Sequence, residues 1–233
     1  MMEPAGQRGR SRLWTVSGRD NRTGCFALST RLRVGEGLPF VSGSFIGRLL
    51  GPLLGSVGGA DRARTAAAVG GLFTAIVGQA REPGFYSAHS VPDSLDGRFE
   101  MVALHLLLVM RRLKGQGPEA GKLSQRLYET MVDDFEKSLL EMGAGDSGIA
   151  RRVKTMARGM AGRIRAYDEA LAESDGRRLE VALDNNLYGT VDPVPDGTLA
   201  TMAAYVRSCA ATLDAQPLES LMRGEVRFAP APA

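Results

Sequence analysis

The chain has 233 residues, 44% of them hydrophobic and 24% charged, with a formal net charge of +3 and a pI near 9.1. This composition suits one domain with a substantial core, and the mild basic excess favours an anionic partner without choosing among nucleic acid, ribosome and lipid. Two distant cysteines, Cys25 and Cys209, exclude a disulfide framework and a zinc-ligand spacing, and the longest apolar run, Met101 to Met110, is too short to span a bilayer.

The first forty or so residues differ from the rest. Seven arginines fall between Arg8 and Arg33, against three acids, Glu3, Asp20 and Glu36, with no sustained periodicity. Residues 1–44 are therefore expected to be a low-order N-terminal extension. The acids count against a transit peptide. The next stretch, FIGRLLGPLLGSV, is apolar, but Gly51 and Pro52 break it and it lacks a basic polar face. Peripheral membrane contact through it stands as an alternative to packing or disorder.

Asp61 is read as the N-cap of a helix through Ala80, with Val69, Leu72, Phe73, Ile76 and Val77 recurring at three and four. Pro83, Gly84 and Pro92 then predict a non-helical link that holds Phe85 and Tyr86, either as anchors over a helix end or as a presented surface. Asp93 is expected to cap the next helix, which is apolar over much of its circumference and ends in Arg111, Arg112 and Lys114. His105 lies in its apolar run. A lone histidine there reads as a neutral, hydrogen-bonded core residue or as a partner contact. Arg98 has Asp93 and Asp96 as ion-pair partners, with partner recognition as the competing role.

Gly115, Gly117 and Pro118 form the following turn, and a helix carrying Leu123, Leu127, Met131, Phe135, Leu139 and Met142 runs until Gly143 and Gly145. Asp146 or Ser147 is expected to cap a fourth helix with Ile149, Val153, Met156, Met160, Ile164, Tyr167 and Leu171 on one face, antiparallel to the third. Further helices are expected at Gly176 to Leu187 and Gly197 to Leu213, before a loose C-terminal RFAPAPA. No alternating strands or βαβ repeats are found, so the fold class is all-α: a single irregular helical bundle over residues 45–215, flanked by the extension and a tail at 216–233.

Catalysis finds no support in the sequence. Asp133, Asp134, Glu136 and Glu141 fall mostly beside the stripe set by Phe135 and Leu139, a solvated charge run. Glu100 and His105 are five apart and His89 sits in the loop, so a di-iron ligand set fails, and no phosphate-binding or nucleophile motif is present. The expectation is a protein without enzymatic activity or cofactor. Basic residues Arg151, Arg152, Lys154, Arg158, Arg163 and Arg165 crowd the fourth helix, either as a solvated, ion-paired face or as a dock for an anionic surface such as ribosomal RNA. They are not interleaved with aromatics, which argues against specific DNA or base readout.

The segments QAREPGFY, VPDSLDGRFEMVALH, LLEMGAGD and RRVKTM, with ALDNNLYG as a weaker echo, together resemble the ubiquinol-cytochrome c chaperone family, over roughly Phe45 to Tyr188. Ser90 stands where glycine is expected in that pattern. The resemblance implies an assembly chaperone for the cytochrome bc1 complex that binds newly made cytochrome b, working with a small partner protein at the ribosomal exit. A helical ribosome- or anionic-surface-binding module without a bc1 role is the alternative. The partner surface expected from this reading comprises Phe85, Tyr86, Pro92, Asp93 and Arg98, with His105 and the basic Arg151, Arg152 and Lys154 beside it, and a groove lined by exposed Leu and Met. The Ala, Gly and Arg richness favours a bacterial cytoplasm, peripheral at the inner membrane, over the matrix side of a mitochondrial inner membrane.

Overall fold

The computed structural model describes residues 57–143, 145–173 and 175–232. Over them the chain forms eight helices and no strand, the all-α class expected from sequence, with α2 and α8 falling where a link and a tail were expected: α1 (Val57–Ala80), α2 (Pro83–Ser87), α3 (Leu95–Leu113), α4 (Pro118–Glu141), α5 (Asp146–Ala172), α6 (Arg177–Asn186), α7 (Thr198–Asp214) and α8 (Leu218–Met222). The expected extension at 1–44 and the apolar stretch at 45–56 lie outside the described residues.

Helix α3 is the axis of the bundle. Met101, Ala103 to Val109 and Leu113 are all buried, so almost its whole circumference is covered, and α1, α4 and α7 pack around it. Its start differs from the sequence reading. Ser94, in extended backbone, is the N-cap, its hydroxyl accepting a hydrogen bond from the Gly97 amide at 3.1 Å, while Asp93 is released to pair with Arg98. Gly97 is required there, because a Cβ would stand 2.1 Å from the Pro92 carbonyl oxygen.

Three other helix starts also depart from expectation. Asp61 sits inside α1, which begins at Val57, and pairs with Arg64 at 2.9 Å. The proline link contains a short helix, α2, because Pro83 occupies a first-turn position where its missing N–H costs nothing. Helix α5 begins behind Gly145, which takes the N-cap position, so Asp146 and Ser147 both fall inside the helix and not at the cap position read from sequence. Helix α4 starts and stops as read, with Pro118 in its first turn and Gly143 in the left-handed region after its end.

Leu123, Leu127 and Met131 of α4 join the main core, while Phe135 and Leu139 form a second, smaller core with Ile149 and Met156 of α5. A short turn thus joins two helices that pack on each other, the antiparallel pair expected from sequence. Helix α6 packs between α5 and α7.

The C-terminal residues are not loose. After α8 the chain crosses α1 at Gly224, whose φ of 90° suits glycine and whose carbonyl oxygen would lie 2.5 Å from any Cβ on Gly71. Residues 225–232 then run extended over the core. Gln216 holds Arg227 at both backbone groups, at 2.8 and 2.9 Å, and Gln79 donates to the Ala229 carbonyl at 3.2 Å. Proline and alanine removed the helical and alternating patterns by which this segment could have been recognised as part of the core.

Candidate functional site

The loop after α2 is pinned at every side. Val91 donates its amide to the Phe85 carbonyl at 3.0 Å, the Tyr188 hydroxyl donates to the His89 carbonyl at 2.8 Å, and the His89 ring donates from Nε2 to the Pro232 carbonyl at 3.2 Å. Ser90 has φ of 55°, the left-handed region that glycine adopts without strain. Four of the residues singled out from sequence meet at this loop. Asp93 and Arg98 are both exposed and joined at 2.6 Å, which holds the Asp93 carboxyl below the usual carboxylate range. Tyr86 stands half-buried beside them, its hydroxyl donating to the Ala80 carbonyl at 2.8 Å, and burial raises its phenol pKa. Both Arg98 and Asp93 act on that phenol electrostatically, with opposite signs. Pro92, partly buried, completes a patch with one aromatic ring, one anion and one cation on a fixed backbone.

Phe85 and His105 are not part of that patch. Both are fully buried. His105 donates from Nδ1 to the Met101 carbonyl at 2.7 Å, which leaves Nε2 to accept from the Tyr205 hydroxyl at 2.7 Å; Tyr205 in turn accepts from Gln79 at 3.0 Å. Phe85 packs on Tyr205 with ring centroids 5.1 Å apart, and Phe228 meets the His105 ring edge-on at 5.2 Å. A polar chain therefore runs from the C-terminal segment through α1 and α7 to α3, flanked by Phe85 and Phe228.

Burial pushes the His105 pKa down from 6.5 to about 4. The unfolded chain takes up a proton below pH 6.5 that the folded state refuses until about pH 4, so stability is full above 6.5 and falls with pH inside that window. The expected loss is about 2 kcal/mol by pH 5. Urea unfolding at pH 7 and pH 5 reads it directly, and a His105→Gln variant should show a shallower pH slope.

The basic residues of α5 divide into two sets. Arg163 is removed from the surface: it forks onto Glu100 of α3 through Nε–Oε2 at 2.8 Å and a second contact, Nη2 to Oε1, with both side chains largely buried. Its guanidinium also lies 5.9 Å from the Phe99 ring centroid. Burial pushes the Glu100 carboxyl above its usual range, and Arg163 pulls it back. Arg151, Arg152 and Lys154 are exposed, and Arg152 approaches Asp96 at 3.8 Å. Sequence reasoning missed the Glu100–Arg163 pair, yet a signal was present. Arg163 falls three residues after Met160 and four before Tyr167, both buried, which places it on the inner face of α5.

The groove expected to be lined by exposed Leu and Met is not seen among the described residues. Met101, Met131, Met156, Met160 and Met202 are core residues, and among the described residues only Leu140, Met142 and Val181 are large hydrophobics in the open. A shallow, open pocket of about 630 Å³ among the described residues is lined instead by polar side chains, among them Arg111, Arg112, Lys114, Asp168, Glu169 and Asp214, and bridged by ion pairs at 3.3 and 2.8 Å.

Residues 87–228 match the family described as Ubiquinol-cytochrome C chaperone. The chain belongs to that family. The match begins at the end of α2, later than the sequence resemblance placed it, and continues through α7 to Phe228, well beyond Tyr188. Among relatives, the ubiquinol-cytochrome-c reductase complex assembly factor 1 of Xenopus laevis is 28% identical over 160 residues, 68% of this chain and 79% of that protein. The corresponding mouse protein is 25% identical over 160 residues, covering 68% of this chain and 54% of its own length. A crystal structure of the Cbp3 homolog from Brucella abortus superposes with a TM-score of 0.66 at 33% identity, covering 73% of this chain and 93% of that one. Pro92, Asp93 and Arg98 lie inside the matched region of this chaperone family, and Tyr86 immediately precedes it. No helix among the described residues is long and apolar enough to cross a membrane.

Proposed function

We propose that this chaperone assists assembly of the cytochrome bc1 complex by holding newly made cytochrome b through the surface formed by Tyr86, Pro92, Asp93 and Arg98. The observation that carries the reading is the fixed geometry of that patch. Its backbone is tied to α2, to Tyr188 and to the C-terminal segment, yet its aromatic ring and its charges remain partly or fully accessible. A rigid, accessible aromatic beside an arginine is the composition in which interface energy concentrates, because little side-chain entropy is lost on docking. The Asp93–Arg98 pair is solvent-exposed and contributes little to folding, so substituting it tests recognition and not stability. The exposed Arg151, Arg152 and Lys154 offer a second contact for an anionic surface.

The test is genetic and spectroscopic. Deleting the gene should lower membrane b-type haem and cytochrome b protein, and the wild-type copy should restore both. A Tyr86→Ala/Arg98→Ala copy, shown to be folded by its circular dichroism, should fail to restore them. Full restoration by that variant would remove the patch from the mechanism, and an intact bc1 complex in the deletion strain would remove the client.

A further inference from the structure

Arg151, Lys154, Arg158 and Arg165 of α5 stand at i, i+3, i+7 and i+14, which at about 100° per residue places them within about 60° of one another. All four are exposed. The stripe lies opposite Ile149, Met156, Met160 and Tyr167, the buried face of the same helix, and so points directly away from the bundle. It runs for about 21 Å before Glu169 ends it. Between its charges on that face come Thr155, Ala161 and Gly162, none of them acidic. No ion pair involves any of the four among the described residues, whereas Arg152 and Arg163, off the stripe, each face a carboxylate on α3. Like charges at helical spacing repel and weaken a helix.

A second feature lies in the turn that leads into this helix. Leu140 and Met142, at the end of α4 and in the turn that leads into α5, are 56% and 66% exposed, two of only three large hydrophobics so exposed among the described residues. Apolar side chains at the tip of a helix pair, followed by an outward row of cations, suit a bilayer with anionic headgroups: the cations meet the phosphates while the apolar tip enters below them. An RNA surface would use the cations but offer no place for Leu140 and Met142, and the stripe carries no aromatic ring on which a base could stack. We infer that the outer face of α5, together with the α4–α5 turn, is a docking surface for an anionic phospholipid bilayer. The surface is separate from the Tyr86–Arg98 patch and operates without a client.

The test uses the full chain and vesicles of phosphatidylcholine, with and without phosphatidylglycerol, in a flotation assay. Because no client is present, its outcome is independent of the cytochrome b reading. The protein should float only with the anionic vesicles and be released by salt. Arg151→Glu/Lys154→Glu/Arg158→Glu should weaken binding by at least about tenfold. Leu140→Ser/Met142→Ser, which leaves the charge unchanged, should weaken it several-fold; both variants should keep the wild-type circular dichroism. Equal flotation with neutral and anionic vesicles overturns the inference, as does wild-type binding by the charge-reversed variant, which would assign the binding elsewhere in the chain. If a structured RNA fragment competes fully with the vesicles and the Leu140/Met142 variant binds like wild type, the face is a nucleic-acid surface and the lipid assignment is wrong.

Discussion

Ending the chain at Gly224 should cost on the order of 5 kcal/mol, a large part of the stability of an ordinary domain. The segment lost lies across the core. Phe228 covers the His105 ring, Ala229 is buried, and Val226 and Ala231 pack on the same cluster. Removing it uncovers that apolar area and strips Gln216 of two backbone hydrogen bonds and Gln79 of one. For a unit of this size the loss corresponds to a fall in Tm of about 10–20 °C. Thermal unfolding followed by circular dichroism reads it. A milder version, Phe228→Ala, should cost about 2–3 kcal/mol, less than a fully buried phenylalanine because Phe228 is partly exposed. A truncated protein that melts with the full chain would mean that the segment rests on the core without stabilising it.

Arg163→Ala should destabilise the fold by about 3–5 kcal/mol at neutral pH, because it leaves the Glu100 carboxylate buried and without its counter-charge. A surface ion pair would cost no more than about 1 kcal/mol, so the measurement separates the two cases. In the variant the neutral carboxyl is favoured in the folded state, so the defect should shrink as pH falls through the carboxylate range. Replacing both partners by apolar residues, Glu100→Leu with Arg163→Met, should recover much of the loss, since no buried charge is then left. Urea unfolding of the three variants provides the comparison. A loss under about 1 kcal/mol for Arg163→Ala would place the pair in effective contact with water.

Much of this architecture was legible because the helices keep their period. The stripe from Leu123 to Leu139 on α4, its counterpart on α5 and the apolar circumference of α3 each predicted both the helix and its inner face. Helix starts were less legible, since several candidate caps stand side by side. Asp93 and Ser94 are adjacent and both suit an N-cap, and the choice between them depends on where the backbone turns, which the Asp93–Arg98 pair and the Pro92–Gly97 approach decide. Tertiary contacts written in no local pattern escaped altogether. Arg163 reads as one more member of a basic helix until Glu100 of α3 is placed opposite, and RFAPAPA carries no period from which its place over His105 could be read. Of the candidate surface, the loop and its polar residues were visible in the sequence, while the division between accessible Tyr86 and buried Phe85 needed the fold.

Site-specific photocrosslinking in cells reads whether the loop surface around Tyr86 and Arg98 receives cytochrome b. A benzophenone amino acid at Ala88, exposed in that loop, and another at Gln125, exposed on α4, report the loop and α4 separately. Docking of cytochrome b on the loop surface should give an adduct from position 88 and none from position 125. Equal adducts at both positions, or none at position 88 while cytochrome b is being made, would contradict it.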